Sequence, residues 1–213
     1  IYFQPAALPT CELPFHESTM STRYKIYDPE GLYFLTLTTV GWLDIFTRKT
    51  YKDILIESLR YCQENKGLLL YAFVIMSNHL HLIVQAKEGV DLIATIGDFK
   101  KYTARQIIDQ IQESGKESRK EWLLYQMQWF ARKNSRKQEY QMWQSDNHPE
   151  EMISPKFIYQ KLEYLHFNPV KAGLVEEPAH YVYSSAAYYE REKGILPVRI
   201  LDLGATEGYV WMG

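Results

Sequence analysis

Two imidazoles stand in the middle of a long apolar run, Ala72-Phe73-Val74-Ile75-Met76-Ser77-Asn78-His79-Leu80-His81-Leu82-Ile83-Val84. On a strand, side chains alternate faces, so His79 and His81 point the same way, about 6.5–7 Å apart, while Leu80 points to the other face. An apolar strand gains little packing from two neighbouring polar rings, and two imidazoles on one rigid face can close on a single divalent ion. The competing reading is a pair of core histidines satisfied by hydrogen bonds. A metal needs more than two ligands, so a site requires donors from elsewhere in the chain. A helix predicted over 156–167 carries Tyr164, with Asn168 four residues later. Residues at i and i+4 share a helix face, so a phenol and a side-chain amide are presented together. Taken alone, an asparagine at a helix end is an ordinary cap.

The elements that must position these residues are legible in outline. Leu32 to Val40 is aromatic and β-branched, a strand ended by Gly41. A helix is expected from about Thr50 to Asn65, with Ile54, Leu55, Leu59 and Cys62 on one face and Gly67 as its stop. Leu68 to Met76 reads as a second strand. After the Ser77-Asn78 interruption, His79 to Gln85 is a third strand, or the same one after a bulge. Asp91 to about Gln112 has the period of an amphipathic helix, with Lys100, Lys101 and Arg105 on its exposed side. Ser154-Pro155 is a helix start, a capping serine before a proline at the first helical position. The same logic places the stop at Asn168-Pro169, because proline disfavours helical geometry in the residue before it. A last short segment begins at Tyr181, and Val198 to Trp211 is expected to be strand and tail.

Composition excludes several classes. The 213 residues are 46% hydrophobic and 23% charged, with two cysteines, Cys11 and Cys62. That is a globular chain without a disulfide framework, suited to a reducing cytoplasm, and no apolar run is long enough for a membrane span. The formal net charge of −2 argues against a protein that coats long stretches of nucleic acid, but not against a nuclease with a local basic groove. Residues 113–141 form a polar stretch with seven basic residues, including Arg132, Lys133, Arg136 and Lys137, against four acidic ones. It is either a solvated helical excursion or a phosphate-contacting arm, and Trp122, Trp129 and Phe130 within it suit stacking on unpaired bases. Residues 1–19 show no periodicity and are expected to be a foreign or disordered leader ahead of one domain spanning 20–213.

The ordered set of motifs resembles a known family. Ser77-Asn78-His79-Leu80-His81-Leu82-Ile83-Val84 is similar to the His-hydrophobic-His signature of the single-tyrosine transposases. Leu162 to Val175, with Tyr164, Asn168 and Pro169 inside it, resembles the hallmark of their REP-associated branch. Trp143-Gln144 with His148-Pro149 resembles the lead-in to that helix, and Tyr183-Ser184-Ser185-Ala186 the segment that follows. The resemblance implies an α+β fold, a ferredoxin-like or RNA-recognition-like antiparallel sheet with helices on one face. It implies His79, His81 and Asn168 as metal ligands, Mg²⁺ or Mn²⁺ as the ion, and Tyr164 as the nucleophile on single-stranded or hairpin DNA. Lys100, Lys101, Arg105, Arg132, Lys133, Arg136, Lys137 and Lys171 are the candidate DNA contacts. A prokaryotic cytosolic monomer or homodimer is expected.

The chemistry is coherent. A phenol with a pKa of about 10 is mostly protonated at neutral pH and needs help to attack a phosphate. A divalent ion held by two imidazoles and an amide oxygen keeps open positions for phosphate oxygens. The phosphotyrosine so formed conserves the bond energy, so strand transfer needs no nucleotide cofactor. Tyr102, between Lys101 and Arg105, is the rival nucleophile, but no ligand type follows it at i+4. Glu163 is a candidate outer base, and His166, two residues past Tyr164, is expected to face away from it. A non-catalytic hairpin-binding protein and a zinc hydrolase are the competing functions.

Overall fold

The computed structural model describes residue 26 and residues 28–113, 115–134 and 138–201. The expected leader, Arg136, Lys137 and the tail from 202 onward lie outside the described residues. Four strands form one antiparallel sheet in the order β2-β3-β1-β4: β1 (Tyr33–Thr38), β2 (Leu68–Ile75), β3 (His79–Ala86) and the two-residue β4 (Glu150–Glu151). Ser77-Asn78 is therefore a turn between two paired strands, not a bulge within one. Met76 N–H bonds the His79 carbonyl at 2.9 Å and closes it. The bulge lies elsewhere, at Tyr71, where the register slips between Leu70↔Val84 and Ala72↔Ile83. That slip keeps Phe73 and Ile75 on the same face as Leu70 despite the odd count.

The alternation splits the core in two. Leu35, Leu37, Leu80 and Leu82 face the helices α1 (Lys49–Asn65), α2 (Leu92–Glu113) and α3 (Lys120–Lys133), through Leu55, Leu59, Ile96, Phe99, Ile107, Leu123 and Met127. Phe34, Ala72, Val74 and Ile83 face the other way, onto Leu162 and Leu165 of α4 (Pro155–Lys171). Each such fully buried side chain contributes about 1.5–3 kcal/mol. The early helices thus share one face, as expected, and the tyrosine helix takes the opposite one. Of the two readings of 113–141, the structure has the helix over Lys120–Lys133, but it is not fully solvated: Leu123, Met127 and Ala131 make a buried stripe along α3.

Both sheet edges are covered. Along β1 run Gln144, whose N–H bonds Thr38 O, and Asn147, whose carbonyl accepts from Thr36 N–H. Along β2 run Tyr183, whose carbonyl accepts from Ile75 N–H, and Ser185, whose N–H bonds Phe73 O. The two motifs flanking the tyrosine helix are therefore edge-covering segments. Arg199 N–H also bonds Leu70 O, but residues 198–201 form no strand. A final short helix, α5 (Ala186–Arg191), follows.

The end of α4 departs from the expectation. Ser154 caps its start, accepting from Phe157 N–H at 3.3 Å, with Pro155 at the first helical position. At the other end the helix runs through Asn168-Pro169 to Lys171. Pro169 has no N–H to give Leu165 O, a loss confined to the last turn, and its ring is buried. The stop is Gly173, at φ 69°, with Gly173 N–H bonding Val170 O at 2.9 Å and Leu174 N–H bonding Pro169 O at 2.9 Å. This pair of bonds satisfies the last carbonyls in a Schellman arrangement. Asn168 is therefore inside the helix, where its side chain projects sideways on a fixed face.

Candidate active site

β3 holds both histidines rigidly because it is the central strand, paired on both sides. His81 lies opposite Thr36 of β1, and His79 opposite Thr38. The two imidazole centroids are 4.7 Å apart, closer than the strand rise alone would give, so the rings converge. His81 stacks on Phe34 at 5.1 Å. Across from them, the Tyr164 ring lies 5.3 Å from the His81 ring and 6.2 Å from Phe34, in both cases edge-on. α4 lies on the sheet of its own chain, so Tyr164 meets its own histidines.

The ring nitrogens are arranged as a metal would require. His79 Nδ1 is 2.7 Å from Asn78 Oδ1. An amide oxygen only accepts, so Nδ1 carries the proton and Nε2 presents its lone pair. His81 Nδ1 is 3.0 Å from Thr36 Oγ1, and His81 Nε2 is buried without a hydrogen-bond partner among the described residues. A buried orphan nitrogen costs roughly 1–3 kcal/mol unless something occupies it. Burial, then the neighbouring His79, then Lys161, push His81 down to about 3, and burial also lowers His79. Both rings are therefore neutral at physiological pH, the form that ligates a metal. The donor set fits a divalent ion.

Asn168 sits one turn beyond Tyr164, half-buried, with its Nδ2 donating to Tyr164 O at 3.5 Å. Its amide oxygen accepts no hydrogen bond from the described residues, so it is available as a third donor. Among the described residues no group of three or more His, Cys, Asp and Glu side chains is placed to hold a metal. The donor set of a zinc hydrolase is thus missing from them, and two imidazoles plus an amide remain. His166 is fully buried, its Nε2 2.8 Å from Ser185 Oγ, a core role rather than a ligand's.

The candidate DNA contacts divide by location. Lys171, two turns past Tyr164, holds its Nζ 5.5 Å from that ring. Lys100 ties α2 to the strand-edge segment, bonding Gln144 O and Asn147 Oδ1 at 2.6 Å each. Its ammonium serves the fold. Lys101 and Arg105 are exposed on α2, as is the rival Tyr102, on the sheet face opposite the histidines. Arg105 lies 3.9 Å from Asp109. Arg132 and Lys133 are exposed at the end of α3, and Lys133 Nζ sits 3.5 Å above the Trp129 ring. Arg136 and Lys137 lie outside the described residues.

Two residues that sequence reasoning passed over belong to the site. Lys161 paired with Glu150 at 2.6 Å places its Nζ 4.5 Å from the Phe34 ring and 6.0 Å from the Tyr164 ring. Its spacing three residues before Tyr164 was the available signal. Thr36 carried none, because strand register alone pairs it with His81.

Residues 36–145 match the family model described as "Transposase IS200 like", just over half of the chain. That span includes both histidines and ends before Tyr164. No curated protein matches the chain. Among solved structures, a REP-associated tyrosine transposase bound to a REP hairpin is similar in fold, with a TM-score of 0.58 and 18% identity. The alignment covers 90% of this chain and 99% of that one. With its histidine strand inside the matched span and its tyrosine helix laid against that strand, the chain belongs to the IS200-like transposase family.

Proposed function

We propose that the chain is a metal-dependent single-stranded DNA nicking and joining enzyme that works through a covalent bond to Tyr164. The observation that carries this reading is the edge-on approach of Tyr164 to His81 at 5.3 Å, beside a buried His81 Nε2 that nothing else occupies. No other tyrosine ring lies within a ring contact of either histidine among the described residues. The hairpin named with the similar structure makes hairpin DNA the first substrate to test here. Action on DNA in the cytosol is part of this reading, and no described helix is long and apolar enough to cross a membrane.

His79, His81 and Asn168 would hold the ion, Mg²⁺ or Mn²⁺. When bound, it would draw electron density from the phosphate and orient it for attack. Asn78 fixes the His79 imidazole with its Nε2 lone pair toward the site, and Thr36 Oγ1 holds the His81 ring in its orientation. The helix face Lys161–Tyr164–Asn168–Lys171 presents the phenol between two ammonium groups, which suit a phosphate on either side. Phe34 packs under His81 and Tyr164 and keeps water from that side of both rings. In the step itself the Tyr164 Oη–phosphorus bond forms and the bond from phosphorus to the 3′ oxygen breaks. The phenol gives up its proton, and the departing 3′ oxygen gains one. The reverse step joins strands without an added energy source.

The test is incubation of a hairpin oligonucleotide carrying single-stranded flanks with Mn²⁺, followed by denaturing electrophoresis. A covalent protein–DNA adduct is expected, absent without the metal and absent in Tyr164→Phe. An adduct that persists in Tyr164→Phe refutes the nucleophile. Tight binding with no adduct under any condition favours a hairpin-binding protein instead.

A further inference from the structure

Beside the histidines lies a second feature that the cutting chemistry does not use. A cleft of about 500 Å³ opens between the turn after β1 and the outward face of α3. Its walls are Trp42 from the turn and Trp122, Trp129 and Phe130 from α3, with Gln126 and Arg119 among the polar lining. Along α3 the buried stripe Leu123–Met127–Ala131 already packs the helix onto the core. Trp122, Gln126 and Trp129 form a separate stripe at i, i+4 and i+7, and Trp122 is 49% exposed. Trp129 is half-buried, 4.8 Å from the Phe130 ring and under Lys133 Nζ, whereas Trp122 is left largely open.

The opposite wall is held in an unfavourable backbone. Gly41 and Trp42 both have left-handed φ, 57° and 55°. At Gly41 a side chain would be strained by φ and would force the Phe130 ring to move, because an added Cβ would meet it at 2.6 Å. At Trp42 a bulky residue adopts a conformation that L side chains avoid, and its ring ends 60% exposed. Strain spent on presenting an aromatic ring to solvent points to a ligand for the ring. The turn is also coupled to the candidate active site. The Trp42 ring meets the His79 ring edge-on at 6.3 Å, and Asn78, whose Oδ1 holds His79 Nδ1, donates from Nδ2 to Trp42 O at 3.4 Å.

We propose that this cleft seats an unpaired nucleobase of the strand being cut, stacked on Trp42 and Trp122 next to the scissile phosphate. The inference rests on the reading of the chain as a single-stranded DNA nicking enzyme and adds where a flanking base goes. Tryptophan faces stack on any base, so the cleft provides affinity without demanding a sequence. The Gln126 amide makes no hydrogen bond to the described residues and offers a donor and an acceptor to the base edge. Arg119 is less free, since it bonds Glu117, Asp44 O and Thr47 Oγ1 and fixes the base of the cleft.

The experiment measures affinity by fluorescence anisotropy in the Tyr164→Phe background, with Mn²⁺ and a flanked hairpin oligonucleotide. Each flanking nucleotide is replaced in turn by an abasic one. One or two positions beside the cleavage point should each lose about tenfold in affinity, the scale of one base–aromatic stack. Trp122→Ala and Trp42→Ala, both at exposed rings, should lose a similar factor on the intact oligonucleotide. They should then be insensitive to the abasic change at those same positions. Losses that multiply instead of saturating, or variants within twofold of the parent, overturn the proposal while leaving the adduct result standing. If the parent binds no oligonucleotide at all, the cleft and the proposed function fail together.

Discussion

Acid should destabilise this protein well above the range where carboxylates titrate, and His166 should account for a defined share. Burial pushes His166 down to about 3 from the ordinary imidazole value of 6.5, and burial with its neighbours takes His81 to about 3 as well. A lowered folded-state pKa means the unfolded chain binds the proton more readily. The stability each ring provides is complete above pH 6.5 and is lost progressively as pH falls toward 3. Between pH 7.5 and 5.0 each of the two costs about 2 kcal/mol, and His79 adds in the same direction. About 4 kcal/mol is a large share of a typical 5–15 kcal/mol stability. Urea unfolding followed by tryptophan fluorescence at both pH values measures it. His166→Gln keeps a donor near Ser185 Oγ but cannot titrate, so the acid loss in that variant should fall by about 2 kcal/mol. Other titrating groups are common to both proteins and cancel in the comparison. An identical loss in variant and parent would refute the assignment of a buried neutral imidazole under Ser185.

Thr36→Val removes the Nδ1 partner of His81 at nearly constant shape, and Mn²⁺ affinity measured by calorimetry should fall about 10–100-fold with the urea midpoint little changed. Gly173→Ala should cost about 1 kcal/mol in urea unfolding, because the φ of 69° is unfavourable for alanine while the new methyl meets nothing within 4 Å. A larger cost would mean that the end of α4 is held by contacts other than its backbone bonds.

Much of the fold could be read from local chemistry, and the misreadings have physical causes. The apolar strands, the capped start at Ser154-Pro155 and the amphipathic α2 all declare themselves over short windows. The end of α4 did not, because Pro169 is a strong stop signal in isolation. In the last turn, proline forfeits only one bond, and burial of its ring together with the Gly173 terminus outweighs that loss. The buried stripe of α3, Leu123–Met127–Ala131, is hard to see inside a polar stretch because it is narrow and interrupted by aromatics facing solvent. Lys100 looked like a DNA contact from its charge, but its bonds to Gln144 and Asn147 come from a segment more than forty residues away.

The donor types and their spacing are set by the order of residues alone. Two imidazoles at i and i+2 in an apolar strand share a face whatever the rest of the chain does, and a phenol and an amide at i and i+4 share a helix side. Those relations follow from backbone periodicity alone. That the two faces meet is a matter of long-range packing. The α4 helix crosses to the sheet face opposite the other helices because Leu162 and Leu165 find Phe34, Ala72, Val74 and Ile83 there. That apolar contact, made between segments far apart in the chain, brings Tyr164 to His81. The register of β1 against β3 set Thr36 behind His81, and the strained Gly41-Trp42 turn put a tryptophan beside His79. Neither is a property of any short window, because each depends on which strand pairs with which and on where a helix from another part of the chain leaves room.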